Sequence, residues 1–100
     1  MEVKITRKGN ETTVFFIGRL DTPASQEVAK ELQPVLENAS DTIILDCKDL
    51  MYISSSGLRI FLSVRKEAAI KGGKVIVRDI NDNIRSVFMM TGFLNLFVIE

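Results

Sequence analysis

The chain has no histidine, one cysteine and two prolines. It carries no excess of either charge, with thirteen Lys and Arg side chains against thirteen Asp and Glu in 100 residues. Each shortage removes a class of function. Without histidine, the Ser-His-Asp and Cys-His arrangements that activate a nucleophile are excluded in their usual forms, and one cysteine leaves zinc without its common ligand sets. A balanced charge supplies no global field to recruit nucleic acid, an anionic membrane or an acidic substrate. No apolar run approaches the length of a membrane span, and the opening MEVKITRKGN lacks the apolar stretch of a signal peptide. The expected location is therefore the cytoplasm. Cys47 has no mate, which rules out a disulfide scaffold and suits a reducing compartment, and it reads as a small buried hydrophobe.

What is present is a foldable core. With 46% hydrophobic residues, residues 1–100 are expected to make a single domain that needs neither disulfide nor metal. Val3 and Ile5 alternate with Lys4 and Thr6 as a half-buried strand, and Lys8-Gly9-Asn10-Glu11 reads as a type II′ hairpin turn into an antiparallel strand over Thr12–Gly18. Val14-Phe15-Phe16-Ile17 is apolar on both sides and belongs inside the sheet. Thr22 followed by Pro23 marks a helix start, with the hydroxyl as cap. Val28, Leu32, Val35, Leu36 and Ala39 continue one stripe through Pro34, predicting a kink or late break rather than an early end.

Thr42–Leu45 reads as a strand covered on both faces, followed by an acidic corner at Asp46, Lys48 and Asp49 and a second dip toward the core at Tyr52 and Ile53. Ser54, Ser55 and Ser56 then open a helix whose core face is Gly57, Ile60, Phe61, Val64 and Ala68. Gly72 and Gly73 are expected to end it as left-handed caps before the strand Lys74–Arg78. Asn81 caps a third helix with Ile84, Val87, Phe88 and Thr91 inward, Gly92 stops it, and Leu96–Ile99 is a last short strand. Met89 and Met90 read as gap-filling core. Right-handed crossovers that all step the same way give an α/β fold: a mixed, mostly parallel five-stranded sheet in the order 1-2-3-4-5 with the helices on one face.

The three serines sit where a strand's carboxyl end meets a helix N-terminus, the edge at which open α/β folds usually meet ligands and partners. On spacing alone, Ser54 or Ser55 is a helix cap. A hydrolase lacks both the G-x-S-x-G elbow and a histidine, and neither glycine-rich phosphate-binding pattern follows a strand, so no nucleotide or other cofactor is implied. A third possibility is a serine that receives phosphate from another protein, since free N–H groups and the positive end of the helix dipole suit an added anion.

Val14–Asp21 (VFFIGRLD), Ile43–Leu58 (IILDCKDLMYISSSGL), the Gly72-Gly73 pair and Thr91-Gly92-Phe93-Leu94 resemble the STAS domain of bacterial anti-sigma factor antagonists. The resemblance implies a binding protein, not an enzyme, that is a monomer when free. Unmodified, it sequesters an anti-sigma factor that is also a serine kinase, and so frees a sigma factor. It further implies phosphorylation at Ser55, two residues before Gly57, reversed by a PP2C-type phosphatase. The expected docking patch comprises Asp21, Thr22, Ser54, Ser56, Gly57 and Arg59, with Gly57 letting a partner's backbone approach. For Asp21 the alternative is a helix-start residue, and for Arg59 a solvated charge. Ser54 stands where switchable antagonists usually carry aspartate, which keeps open a second reading: a STAS scaffold that is never phosphorylated, in a stressosome or a lipid-transport complex.

Overall fold

A computed structural model describes all 100 residues, Met1–Glu100. The hairpin comes first. Strands β1 (Glu2–Lys8) and β2 (Glu11–Leu20) pair antiparallel through Val3↔Phe16 and Ile5↔Val14, around a turn in which Gly9 has φ of 60°. A positive φ at the first central position alone is the type II′ signature, and glycine takes it without steric cost. Ile5 faces the helix side but remains exposed, because β1 is the sheet edge and helix cover thins out beyond β2.

From β2 the chain enters helix α1 (Thr22–Glu31), breaks at Leu32 and resumes as α2 (Gln33–Glu37). The break precedes Pro34 as its ring requires, while Val28, Leu32, Val35 and Ala39 stay buried along one stripe. The cap of α1 is Asp21 and not Thr22: its Oδ1 accepts from the Ala24 N–H at 2.9 Å. Thr22 and Pro23 are thus the first two helical positions, where proline's missing donor costs nothing.

Strand β3 runs from Thr42 to Ile53, so the expected acidic corner is instead continuous strand. Pairing with β2 is kept from Glu11↔Thr42 to Leu20↔Ile53, and β3 absorbs two extra residues at register shifts beside Phe15/Ile17 and Gly18/Arg19. These bulges let Lys48, Asp49, Met51 and Tyr52 stand in solvent while Leu50 and Ile53 return to the core. Helix α3 (Ser55–Lys71), β4 (Lys74–Arg78), α4 (Asp82–Thr91) and β5 (Val98–Ile99) complete the chain. The sheet order is β1-β2-β3-β4-β5, with every pair after the hairpin parallel.

All four helices contribute to one apolar core with the strand residues Val14, Phe16, Ile43, Leu45, Val75 and Val77. At its centre the Phe61 ring lies 5.1 Å from Phe16, 6.0 Å from Phe88 and 6.3 Å from Phe97. Cys47 is fully buried in this core, and burial first, then the neighbouring Asp46 and Asp79 carboxylates, push its thiol far above the usual range. On the opposite face, Asp46 and Arg78 occupy paired positions of β3 and β4 and close an ion pair at 2.9 Å. Met89 and Met90 are not core: they project into solvent from α4, whose inward stripe stops at Ile84, Val87 and Phe88, with Thr91 also outside.

The glycine pair has two different reasons. Gly72 is the left-handed cap of α3, whereas a Cβ on Gly73 would fall 1.9 Å from the Ala39 carbonyl oxygen and 2.6 Å from that of Asp41. Backbone cannot yield there as a side-chain tip can. Gly73→Ala is expected to lower the unfolding free energy by about 1–3 kcal/mol. Urea denaturation checks this, and an unchanged midpoint would contradict the close approach.

Candidate functional site

The carboxyl ends of β2 and β3 meet the start of α3 in one hydrogen-bonded knot. Ser54 is extended, with φ −86° and ψ 172°, and its Oγ accepts from the Gly57 N–H at 3.2 Å, the bond expected of an N-cap. Its own N–H donates to the Leu20 carbonyl oxygen at 2.9 Å, and its hydroxyl donates to the same oxygen at 2.9 Å. Leu58 N–H returns to the Ser54 carbonyl at 2.9 Å. Of the first-turn donors, those of Ser55 and Ser56 are left free.

Gly57 explains how the helix comes so close. A Cβ there would lie 2.8 Å from Leu20 Cγ, 2.9 Å from Leu20 Cδ2 and 2.8 Å from Ile53 Cγ1. The glycine is therefore needed for internal packing, a role that the sequence reading had not assigned to it. It is buried beneath α3's first turn, against the last residues of two strands.

Among the residues singled out by sequence, the structure separates an inner and an outer set. Ser54 and Gly57 are buried and hold the corner from within, so neither presents a side chain to a visitor. Ser55, Thr22 and Arg59 are exposed, and Ser56 and Asp21 are partly so. Asp21 is tied down: its carboxylate caps α1, and its carbonyl accepts from the Ser25 N–H at 2.9 Å and the Ser25 hydroxyl at 2.7 Å. Because Leu20 precedes Asp21, the Ser54 bonds to the Leu20 carbonyl join the Asp21–Thr22 turn to the Ser55 turn. The two loops expected in one patch are thus joined through a single backbone oxygen.

Two neighbours of this corner were not visible to sequence reasoning. Arg19 lies over the Tyr52 ring, 4.4 Å from its centroid, and both are exposed on the side of the sheet away from α3. Only the bulged register brings them together, so no spacing rule could have paired them. Asn81 caps α4 through Ile84 N–H at 2.9 Å and donates from Nδ2 to the Leu50 carbonyl at 2.8 Å. Its capping role was legible, and its cross-link to β3 was not. No three potential metal ligands converge anywhere, and no helix is long and apolar enough to cross a membrane.

A family model describing the STAS domain matches residues 2–100. The chain belongs to the STAS domain family. It is 30% identical over 80 residues to a Bordetella bronchiseptica protein that carries the name of an anti-sigma factor antagonist, BtrV, covering 80% of this chain and 69% of that one. It is 24% identical over 100 residues to the anti-sigma-B factor antagonist of Bacillus subtilis, covering 100% and 91%. The fold is shared with the anti-sigma factor antagonist SpoIIAA in its unphosphorylated form, at a TM-score of 0.76 and 18% identity, over 99% of this chain and 87% of that one. The phosphorylated form of SpoIIAA gives the same TM-score at 19% identity, over 99% and 91%.

Within this STAS domain the serines divide their labour, and stability separates them. Ser54→Ala removes a cap and a buried donor, and is expected to cost about 1–2 kcal/mol. Ser55→Ala removes an exposed hydroxyl without a partner, and its effect should stay within about 0.5 kcal/mol. Thermal melts of the two variants check the assignment, and equal losses would overturn it.

Proposed function

We propose that this STAS domain is an anti-sigma factor antagonist whose binding is switched at Ser55. In this reading the unmodified protein docks on an anti-sigma factor that is also a serine kinase, and a sigma factor is released. The kinase then transfers phosphate to Ser55, docking is lost, and a PP2C-type phosphatase restores the first state. The domain acts in the cytoplasm as a binding protein and not as an enzyme, and it is a monomer when free.

The observation that carries this reading is the placement of one hydroxyl. The Ser55 hydroxyl is exposed and makes no hydrogen bond at the first position of a seventeen-residue helix, because Ser54 has taken over the capping. An acceptor serine has to be reachable by a kinase's active site and free to change its chemistry without disturbing the fold. In the transfer, Ser55 Oγ forms a bond to the terminal phosphorus of ATP, the bond from that phosphorus to the ADP oxygen breaks, and the hydroxyl proton passes to a base on the kinase. The product adds about −1.5 to −2 charges at pH 7. Those charges meet the free Ser55 and Ser56 N–H groups and the positive end of the α3 dipole, so the fold accommodates them. SpoIIAA, solved in phosphorylated and unphosphorylated forms with equal likeness to this chain, agrees with a modification that leaves the architecture standing.

Docking does not tolerate the same charge. Beneath an interface, the phosphate has to be desolvated or set against a partner carboxylate, at a cost of several kcal/mol. About 4 kcal/mol is roughly a thousandfold in affinity, enough for a binary switch without refolding. Asp21, Thr22, Ser56 and Arg59 supply the outer surface of the patch in this reading, and Ser54 and Gly57 set its shape from below.

Incubation of the purified protein with ATP and its cognate kinase, followed by intact-mass measurement, tests the proposal. One added phosphate that Ser55→Ala abolishes is expected. An unchanged mass would favour the scaffold reading, which Ser54 supports by standing where switchable relatives carry aspartate. In binding titrations against the anti-sigma factor, Ser55→Ala should retain affinity and Ser55→Asp should lose it, and equal affinities would contradict the switch.

A further inference from the structure

We infer that Arg59 is the intramolecular counter-ion of a phosphate on Ser55, so that modification withdraws a cation from the docking patch while adding an anion to it. The inference rests on Ser55 as the acceptor and concerns what the modified residue does next. Arg59 follows Ser55 by four positions on α3, and both are exposed. Residues at that spacing stand about 5–6 Å apart at their Cβ atoms, and helical side chains lean toward the helix N-terminus, carrying the guanidinium over the Ser55 turn. An anion on the N-terminal side of the cation is the favourable order.

The surroundings of Arg59 give it no other use within the chain. Its helical neighbours three and four positions away are Ser55, Ser56, Leu62 and Ser63, none of them charged. The first turn of α3 contains no acidic residue, and none of the protein's four ion pairs includes Arg59. It is also the first cation on α3, the next being Arg65. The other arginine near this edge, Arg19, is held over Tyr52. An exposed arginine three and four positions after two serines has no helical counter-ion until one of them is phosphorylated, and Ser55 is the more exposed of the two.

The consequence is a switch with two coupled parts. In the unmodified protein Arg59 is available to a partner carboxylate. After transfer, the planar guanidinium can grip two phosphate oxygens at once, a geometry that lysine lacks. The partner then meets an anion where it needs none and loses the cation it had used. Ser54 helps by being neutral and buried, since a carboxylate at the helix start would compete for the same guanidinium.

A stability cycle tests the pair without any kinase. Phosphoserine is placed at position 55 during translation, in the natural chain and in Arg59→Gln, and all four proteins are melted. Phosphorylation should change Tm more favourably in the natural chain than in Arg59→Gln by about 2 °C, the size expected of a helical ion pair in a domain this small. Arg59→Lys should retain only part of that difference. A second readout needs the natural chain alone: on phosphorylation the Arg59 Nε–H resonance should shift and its exchange with water should slow. Equal Tm changes in both backgrounds, with an unmoved Nε–H signal, would overturn the inference. Because the phosphate is introduced directly, failure of a kinase to modify the natural chain would sink the proposed function and leave this cycle intact.

Discussion

One backbone oxygen organises the corner where β2, β3 and α3 join. The Leu20 carbonyl takes the N–H and the hydroxyl of Ser54, each at 2.9 Å, and so welds the last residue of β2 to the residue that begins α3. Two features shape that approach. The Ser54 hydroxyl accepts from the Gly57 N–H and donates to the Leu20 carbonyl, and the second of these bonds is one that an ionised carboxylate could not donate. The residue at 57 must lack a Cβ, because Leu20 and Ile53 already fill the space. Everything proposed for Ser55 depends on this knot, since it satisfies the helix start from below and leaves the next hydroxyl with nothing to do inside the fold.

The same device recurs along the carboxyl edge of the sheet. Each helix that follows a strand there begins with a side-chain cap, from Asp21, Ser54 or Asn81. Two of the caps, Ser54 and Asn81, also reach across to a strand carbonyl, those of Leu20 and Leu50. The edge is therefore sewn together by the capping side chains, over an aromatic core in which Phe16, Phe61, Phe88, Phe93 and Phe97 pack in tilted and edge-to-face contacts. A rim so constrained cannot answer a new charge by rearranging cheaply.

Much of this was legible in the chain. The sheet order followed from crossover handedness, and the hairpin from Gly9. The core faces of α1 and α3 followed from apolar spacing, and the serine corner from the change of pattern after Ile53. The misses have physical causes. An acidic run looked like a corner because bulges, which let a strand continue while turning charges outward, leave no mark in periodicity. Thr22 was preferred to Asp21 as the cap because proline suits either of the first two helical positions. Met89 and Met90 looked like core by composition, but the α4 stripe places them outside. The packing roles of Gly57 and Gly73 were missed, since only coordinates show which neighbour a missing Cβ would have struck.

The central claim is that a partner meets this protein at the corner where β2, β3 and α3 join. Hydrogen exchange of the free chain and of its complex with the anti-sigma factor measures this directly. The Ser55 and Ser56 amides, without acceptors in the free protein, should exchange rapidly alone and become protected in the complex, together with the Asp21–Thr22 turn. Protection confined to the helix-free face of the sheet, with those amides exchanging as fast as before, would contradict the account.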